Sequence, residues 1–306
     1  MPTSTMAEPP VHWGAEALWE QLAPLLPGLS VEVVHRTPST NTALLERARA
    51  VPEGPPDDGA AMVRRSVESA AFGRRAVDLQ PCLLVAEHQS AGRGRLGRPW
   101  QSRAGASLTF SLGLPLAAAD WSGLSLAVGV ALSEALDPAA PGAAGPHIGL
   151  KWPNDLWLMD GPVQNAARGR KLGGILIETV AAGTQRLVIV GVGLNVQPFD
   201  TIEADTGFAA LHELDPAVTA PAVLSRIARP LIQALQQFER EGFIAFADRF
   251  AARDLLRGRR VRTTLAEVPD GIARGVSAQG ALLVQSAAGI ASVSSGEVSV
   301  RLAPDA

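Results

Sequence analysis

The sequence predicts a mixed α/β (α+β) domain followed by a small β-barrel, and three observations carry that reading. Between residues 31 and 256, apolar strand-like runs are interleaved with stretches of amphipathic helical spacing. From Gly258 onward the pattern switches to five short alternating segments in under fifty residues, the signature of a small barrel. At 306 residues the chain has the length for one large domain plus a small one, with ample material for a core. These patterns divide the chain into an N-terminal extension over residues 1–30, a large domain over 31–256 and a C-terminal domain over 257–306.

Residues 1–30 offer one short amphipathic helix, around Ala15 to Leu26, bracketed by prolines. That is too little for a helix-turn-helix domain, which needs about three helices. Val31 to His35 reads as a strand, and Thr37-Pro-Ser-Thr-Asn turns into a helix from Asn41 to Ala50, with Ser39 or Thr40 as N-cap. Val51 to Gln80, opening with Pro-Glu-Gly-Pro-Pro-Asp-Asp-Gly, breaks the pattern and reads as a surface insertion. Cys82–Ala86 and Ser107–Leu114 are strands, and Trp121–Leu136 is a helix opened by Asp120 and closed by the Pro/Gly/Ala stretch from Pro138 to Pro146. A strand-rich block follows at Ile148–Trp152, Asp155–Met159, Leu172–Val180 and Arg186–Val196, interrupted by a long hairpin loop from Asp160 to Arg170. Residues 220–253 are mainly helical, with apolar spacing at Leu224, Ile227, Leu231, Leu235 and Phe238. The barrel strands are Arg260–Leu265, Gly271–Ser277, Ala281–Gln285, Ile290–Val293 and Val298–Leu302.

A net charge of −3 argues against bulk polyanion binding, so recognition of phosphate should be local. One cysteine, Cys82, excludes an internal disulfide framework and fits a reducing, cytoplasmic setting. No signal-peptide pattern and no apolar run of membrane-spanning length occurs. The scattered histidines make no metal set, and neither a Walker loop nor Gly-x-Ser-x-Gly is present.

The most informative run is Gln89-Ser-Ala-Gly-Arg-Gly-Arg-Leu-Gly-Arg-Pro-Trp100, which puts three guanidinium groups on a glycine-rich loop directly after an apolar strand. Glycine lets backbone approach a ligand closely, and arginine's fork of donors matches phosphate and carboxylate oxygens. Such a loop can enclose an anion; taken alone it could equally be a solvated turn or a basic patch for nucleic acid. Of 27 basic residues only Lys151 and Lys171 are lysines, which marks both as positions needing a compact ammonium. Lys151 ends an apolar strand, so its ammonium either points into a cleft or snorkels to the surface. Asn154 and Asp155 could orient that lysine or hold hydrated magnesium, although Asn-Asp is also a common turn pair. Ser39-Thr40-Asn41 reads as a helix cap or as donors and acceptors for a neutral polar ligand. Gly191-Val-Gly-Leu-Asn195 reads as a bulged strand or as bare backbone brought to a ligand. Glu297 and Arg301 read as a surface pair.

Together, and in this order, these elements resemble the biotin–protein ligases, also called biotin–[acetyl-CoA-carboxylase] ligases. The matching pieces are Ser39-Thr-Asn41, Glu87-His-Gln89, Ala91-Gly-Arg-Gly-Arg-Leu-Gly-Arg-Pro-Trp100 and Leu150-Lys-Trp-Pro-Asn-Asp155. Lys171-Leu-Gly-Gly-Ile-Leu-Ile-Glu178, Gly191-Val-Gly-Leu-Asn195 and, in the barrel, Gly280-Ala-Leu-Leu with Gly296-Glu297 complete the set, spanning about residue 31 to 302. The resemblance implies a catalytic domain with a mixed sheet, of the class II aminoacyl-tRNA synthetase-like, biotin–lipoate ligase type, plus an SH3-like barrel. It implies that biotin and Mg·ATP give biotinyl-5′-AMP, and that the biotinyl group passes to a lysine of a biotin carboxyl carrier protein domain of acetyl-CoA carboxylase or a related carboxylase.

By the same resemblance, Lys151 and Arg95 are the catalytic candidates. Ser39, Thr40, Asn41, Gln89, Arg93, Gly94, Arg95, Lys151 and Gly173 would bind biotin. Arg95, Arg98, Trp100, Asn154 and Asn195 would bind ATP and the adenylate, with Asp155 a candidate magnesium ligand. The DNA-binding domain of bifunctional members is missing from residues 1–30, so neither DNA binding nor repressor activity is expected, and no membrane partner. Whether the protein is a monomer or a homodimer is left open. A lipoate or octanoyl protein ligase of the same fold is the alternative; the arginine loop and Lys-Trp-Pro-Asn-Asp, both biotin-type, stand against it. A non-catalytic nucleic-acid-binding protein is the remaining one, and the net negative charge stands against that.

Overall fold

The computed structural model describes residues 11–49, 69–72, 79–138, 145–163, 168–182, 185–199, 207–296 and 298–302. In chain order the large unit comprises α1 (Ala15–Leu22), β1 (Ser30–Thr37), α2 (Thr40–Arg49), β2 (Ser69–Phe72), β3 (Cys82–Gln89), β4 (Gly92–Arg93), β5 (Pro99–Trp100) and β6 (Ser107–Pro115). It continues through α3 (Leu124–Leu136), β7 (Ile148–Lys151), β8 (Asp155–Met159), β9 (Gly169–Ala182), β10 (Gln185–Asn195), α4 (Ala220–Glu241) and α5 (Ala247–Ala251). Eight strands form one mixed sheet in the order β2-β1-β3-β6-β10-β9-β8-β7. Among the described strands of this sheet β1 and β3 are the one parallel pair, and every other neighbour is antiparallel.

Strand side chains alternate between faces, and here the alternation decides where the site lies. On β10, Val188, Val190, Val192 and Leu194 join the principal core with α3 and α4, while Leu187 and Ile189 pack on the opposite face under α2. On β3, Leu83 and Val85 go to the principal core, and Cys82 and Leu84 go beneath α2. Helix α2 is only ten residues long and covers one end of that second face. Beyond it the same face carries Ser111, Gly191, Gly193, Gly174, Glu178, Asp155 and Lys151, which are small, polar or charged. The principal core is closed by apolar helix faces; the second face is left open as a cavity.

The C-terminal unit is a five-stranded antiparallel sheet in the order β14-β13-β12-β11-β15, built from β11 (Arg260–Thr263), β12 (Asp270–Val276), β13 (Leu282–Ser286), β14 (Gly289–Val293) and β15 (Val300–Leu302). Its buried residues, among them Val261, Ala273, Leu282 and Val284, are continuous with the principal core. The Trp152 indole N–H donates to the Gly280 carbonyl at 3.0 Å, and Gly280, at φ +79°, packs so close to Gly123 that a Cβ would lie 2.7 Å from its Cα. Residues 253–255 run beside β7, with Leu150 donating to the Arg253 carbonyl at 2.7 Å and Leu255 to the Leu150 carbonyl at 3.0 Å.

Several sequence expectations are revised in extent. The first helix ends at Leu22 rather than Leu26, and the helix expected from Trp121 begins at Leu124, after Gly123 in a left-handed conformation. The segment expected to be a surface insertion, Val51 to Gln80, contributes edge strand β2, antiparallel to β1. Residues 51–68 and 73–78 of that insertion, and most of the Pro138–Pro146 stretch, lie outside the described residues.

Candidate active site

A cavity of about 640 Å³ occupies the open face of the sheet. Its floor is β7–β10, one wall is the start of α2, and its cover is the glycine-arginine loop with the chain leading into β15. The loop folds as a minimal hairpin, β4 against β5, with Leu96 and Gly97 at positive φ in the tip.

The α2 end of the cavity is lined by the uncharged polar groups of Ser39, Thr40, Asn41 and Gln89, with the Arg93–Glu178 ion pair beside Asn41. Ser39 caps the helix, its hydroxyl accepting from the Thr42 N–H at 3.4 Å. The Thr40 N–H donates to Gln89 Oε1 at 2.7 Å, and the Thr40 and Ser111 hydroxyls lie 2.6 Å apart. The Ser111 hydroxyl reaches Asn41 Oδ1 at 2.5 Å, while Asn41 Nδ2 donates to the Leu176 carbonyl at 3.2 Å and to Glu178 at 2.9 Å. Asn41 fits because Gly191 stands opposite, where a Cβ would lie 2.2 Å from its Oδ1.

The other end is cationic. Burial pulls the Lys151 ammonium below the ordinary lysine range, with Asp155 opposing and the charges of Lys171, Arg98 and Arg301 adding to the depression. Its Nζ lies 5.0 Å from the Trp157 ring centre. Lys171 Nζ is 3.3 Å from Asp155 Oδ1 and 5.7 Å from the Trp100 ring centre. Arg95 is lowered by burial, with Asp155 opposing and Arg98 adding. Its guanidinium donates to the carbonyls of Ser295 and Gly296, and reaches Asn154 Oδ1 at 3.5 Å. Arg98 donates to Ser299 Oγ at 3.2 Å. The C-terminal unit thus holds the tip of the loop. Trp100, whose buried indole N–H has no partner among the described residues, lies over Gly193, where a Cβ would come within 2.4 Å of the ring. Asp155 is the only carboxylate lining this cavity among the described residues.

Most of the residues singled out in the sequence meet here. Ser39, Thr40, Asn41, Gln89, Arg93 and Gly94 line the α2 side and the loop. Arg95, Arg98, Trp100, Lys151, Asn154 and Asp155 line the remainder. Two do not. Gly173 sits against Leu194 and the Gly193 carbonyl, and its neighbour Gly174 opens onto the cavity instead. The Asn195 amide is 6% exposed and donates to the carbonyls of Ala209 and Lys171, tying β10 to neighbouring chain rather than facing the cavity. Four further positions at or against the cavity were not among the site candidates: Lys171 and Glu178, the two ends of the Lys171–Glu178 run; Ser111, which no local motif marks; and Arg301, expected in a surface pair but placed at the cavity rim. Glu297, its expected partner, lies outside the described residues.

A neutral polar end joined to a cluster of cations with one carboxylate is a site in which an enzyme can activate an organic acid against a nucleotide phosphate. Comparison with known proteins agrees. Residues 79–195 match the biotin/lipoate A/B protein ligase family, and residues 257–301 match the biotin protein ligase C terminal domain. The chain is 36% identical over 298 residues to the biotin–[acetyl-CoA-carboxylase] ligase of Mycobacterium tuberculosis, covering 93% of this chain and 91% of that one. It is 32% identical to the corresponding ligase of Paracoccus denitrificans, over 70% of this chain and 88% of that one. Among solved structures, the biotin protein ligase from Aquifex aeolicus in complex with biotin and ATP superposes with a TM-score of 0.64 at 25% identity, covering 89% of this chain and 99% of that one. The chain belongs to the biotin protein ligase family. Among the described residues, no helix is long and apolar enough to cross a membrane.

Proposed function

We propose that this protein joins biotin to ATP as biotinyl-5′-AMP and then passes the biotinyl group to a lysine of a biotin carboxyl carrier protein domain. The observation that carries this reading is the two-ended cavity, uncharged at Thr40 and Asn41 and cationic around Lys151 and Lys171. The first end suits the ureido group of biotin, and the apolar lining from Phe110, Ile175 and Leu176 suits its rings and tail.

In the first step a carboxylate oxygen attacks the α-phosphorus and the bond to pyrophosphate breaks. Both partners are anions, so charge gathered in a water-poor cavity lowers the barrier. Lys151, with its ammonium destabilised by burial, gains from an incoming anion. Arg95 and Arg98 can exchange the Ser295, Gly296 and Ser299 oxygens for phosphate oxygens. In the second step the neutral acceptor amine attacks the acyl carbon, AMP departs, and a proton is lost from nitrogen. No enzyme nucleophile is required. A loop closed over the mixed anhydride would keep water from it.

Among the described residues, no group of three or more His, Cys, Asp or Glu converges to hold a metal. This fits magnesium, which binds through few carboxylates and mainly through substrate phosphates. Asp155 would be the protein ligand, and the ion would neutralise phosphate charge. The single buried cysteine supports a reducing, cytoplasmic setting.

Thermal shift tests substrate choice. Biotin is expected to raise the melting temperature, ATP with magnesium to raise it further, and lipoate to leave it unchanged. Stabilisation by lipoate and none by biotin would transfer the site to lipoyl chemistry.

A further inference from the structure

We propose that Glu178 is a positioning residue that fastens the glycine-arginine loop to the wall of the cavity facing the biotin head group. The proposal rests on the function given above and extends it to a residue outside the cavity lining. Glu178 lies on β9, on the same face as Gly174 and Leu176. Its carboxylate takes the Arg93 guanidinium at 2.9 and 3.1 Å and the Asn41 amide at 2.9 Å.

These contacts close a ring. Gln89, where the loop leaves β3, accepts from Thr40; Thr40 meets Ser111; Ser111 meets Asn41; Asn41 donates to Glu178; and Glu178 accepts from Arg93, four residues further along the same loop. The proton count is consistent. Thr40 presents both its N–H and its hydroxyl to Gln89 Oε1, at 2.7 and 3.2 Å, and the Ser111 hydroxyl, 2.6 Å from that of Thr40, lies 2.5 Å from Asn41 Oδ1 as its donor. That fixes the Asn41 amide with its NH2 toward Glu178. A carboxylate is needed at the end of the ring because both of its neighbours are donors, and an amide would present its own NH2 to one of them.

On exposure alone the Arg93–Glu178 pair, at 44% and 26%, is a surface salt bridge of little consequence. What distinguishes it is Asn41, 3% exposed, whose amide would be left with a buried, unsatisfied donor if the carboxylate moved. The loop is therefore secured at its head-group side by Glu178 and at its tip by the C-terminal unit. Freeing the first attachment should weaken biotin capture and adenylate retention while sparing ATP binding.

The test is a double-mutant cycle on Glu178→Gln and Arg93→Gln, with biotin affinity measured by calorimetry and loop accessibility by trypsin cleavage after Arg95 in the ligand-free protein. Glu178→Gln is expected to weaken biotin binding about tenfold and to speed cleavage by a similar factor, with Arg93→Gln adding less than about twofold on top. The KM for ATP should stay within about twofold of wild type, a split that general loosening of the fold would not give. Additive losses, or cleavage at the wild-type rate, would overturn the proposal. Should Glu178→Gln fail to fold, the cycle of Ser111→Ala with Arg93→Gln replaces it: non-additive losses support the ring and additive ones refute it. Cleavage needs no ligand, so it judges the latch even if wild-type protein binds no biotin, a result that would sink the functional reading separately.

Discussion

Gly191 and Gly193 lie two residues apart on one face of β10, and each makes room for a side chain at a different end of the cavity. A Cβ at position 191 would lie 2.2 Å from Asn41 Oδ1 and 2.8 Å from its Cγ. A Cβ at 193 would lie 2.4 Å from Trp100 Cε2 and 2.8 Å from its Nε1. Neither glycine has positive φ, so alanine would strain no backbone torsion; the cost is purely one of space. An ordinary carbon contact needs about 3.5 Å, so each side chain must retreat by roughly 1 Å. Overpacking of this kind costs about 1–3 kcal/mol, or roughly 5- to 150-fold in an equilibrium constant.

Asn41 is held by several hydrogen bonds and should sit at the upper end of that range, whereas half-buried Trp100 can yield and should sit at the lower. Gly191→Ala is therefore expected to raise the KM for biotin by at least about tenfold with the KM for ATP near wild type, and Gly193→Ala to do the converse by about fivefold. Biotin-dependent pyrophosphate exchange, with each substrate varied in turn and folding checked by circular dichroism, measures both. If the two variants impair the same substrate, or Gly191→Ala impairs ATP alone, the assignment of the two ends is wrong.

Further outcomes are expected elsewhere. Lys151→Arg keeps the charge but places a planar fork where a compact ammonium fits, and should lower the adenylation rate by about 100-fold; near-normal exchange would remove Lys151 from the chemistry. Asp254, buried beside the chain that pairs with β7, has its carboxyl pushed up by burial to about 6 from 3.8. A raised folded-state value means that its favourable contribution is full below about pH 4 and is lost as pH rises through 6. Asp254→Asn should consequently gain up to about 2 kcal/mol over wild type at pH 8 and almost nothing at pH 4, read from urea midpoints. A pH-independent difference would contradict this.

The elements of the fold were legible where local pattern carries information. Near-continuous apolar runs located β3, β6 and β10 to within a few residues, because these strands are central and buried on both faces. The segment holding β2 was not recognised, since a four-residue edge strand inside Pro/Gly-rich chain has too little pattern of its own. In the site, the glycine-arginine loop and Lys151 were legible because their residue types are unusual for their surroundings. Ser111 was not, being one ordinary polar residue on a long strand whose partner Asn41 lies 70 residues away; Glu178 ends a quoted run, but nothing in that run announces its pairing with Arg93, 85 residues away. Asn195 and Gly173 failed for the opposite reason. They belong to informative motifs, but the pleat turns Gly173 away from the cavity that Gly174 faces, and Asn195, on the same face as Gly193, lies past the cavity with its amide given to the Ala209 and Lys171 carbonyls. The contribution of the C-terminal unit, through the Ser295 and Gly296 carbonyls to Arg95, is a backbone contact that no residue type announces.

Native mass spectrometry of the purified protein, incubated with biotin, ATP and magnesium, probes the proposed chemistry most directly. The expected result is a bound species with the mass of biotinyl-5′-AMP, formed only when both substrates are supplied and discharged on addition of a carrier domain. Biotin and intact ATP bound together, with no adenylate and no pyrophosphate released, would show that the clustered cations do not join the two anions.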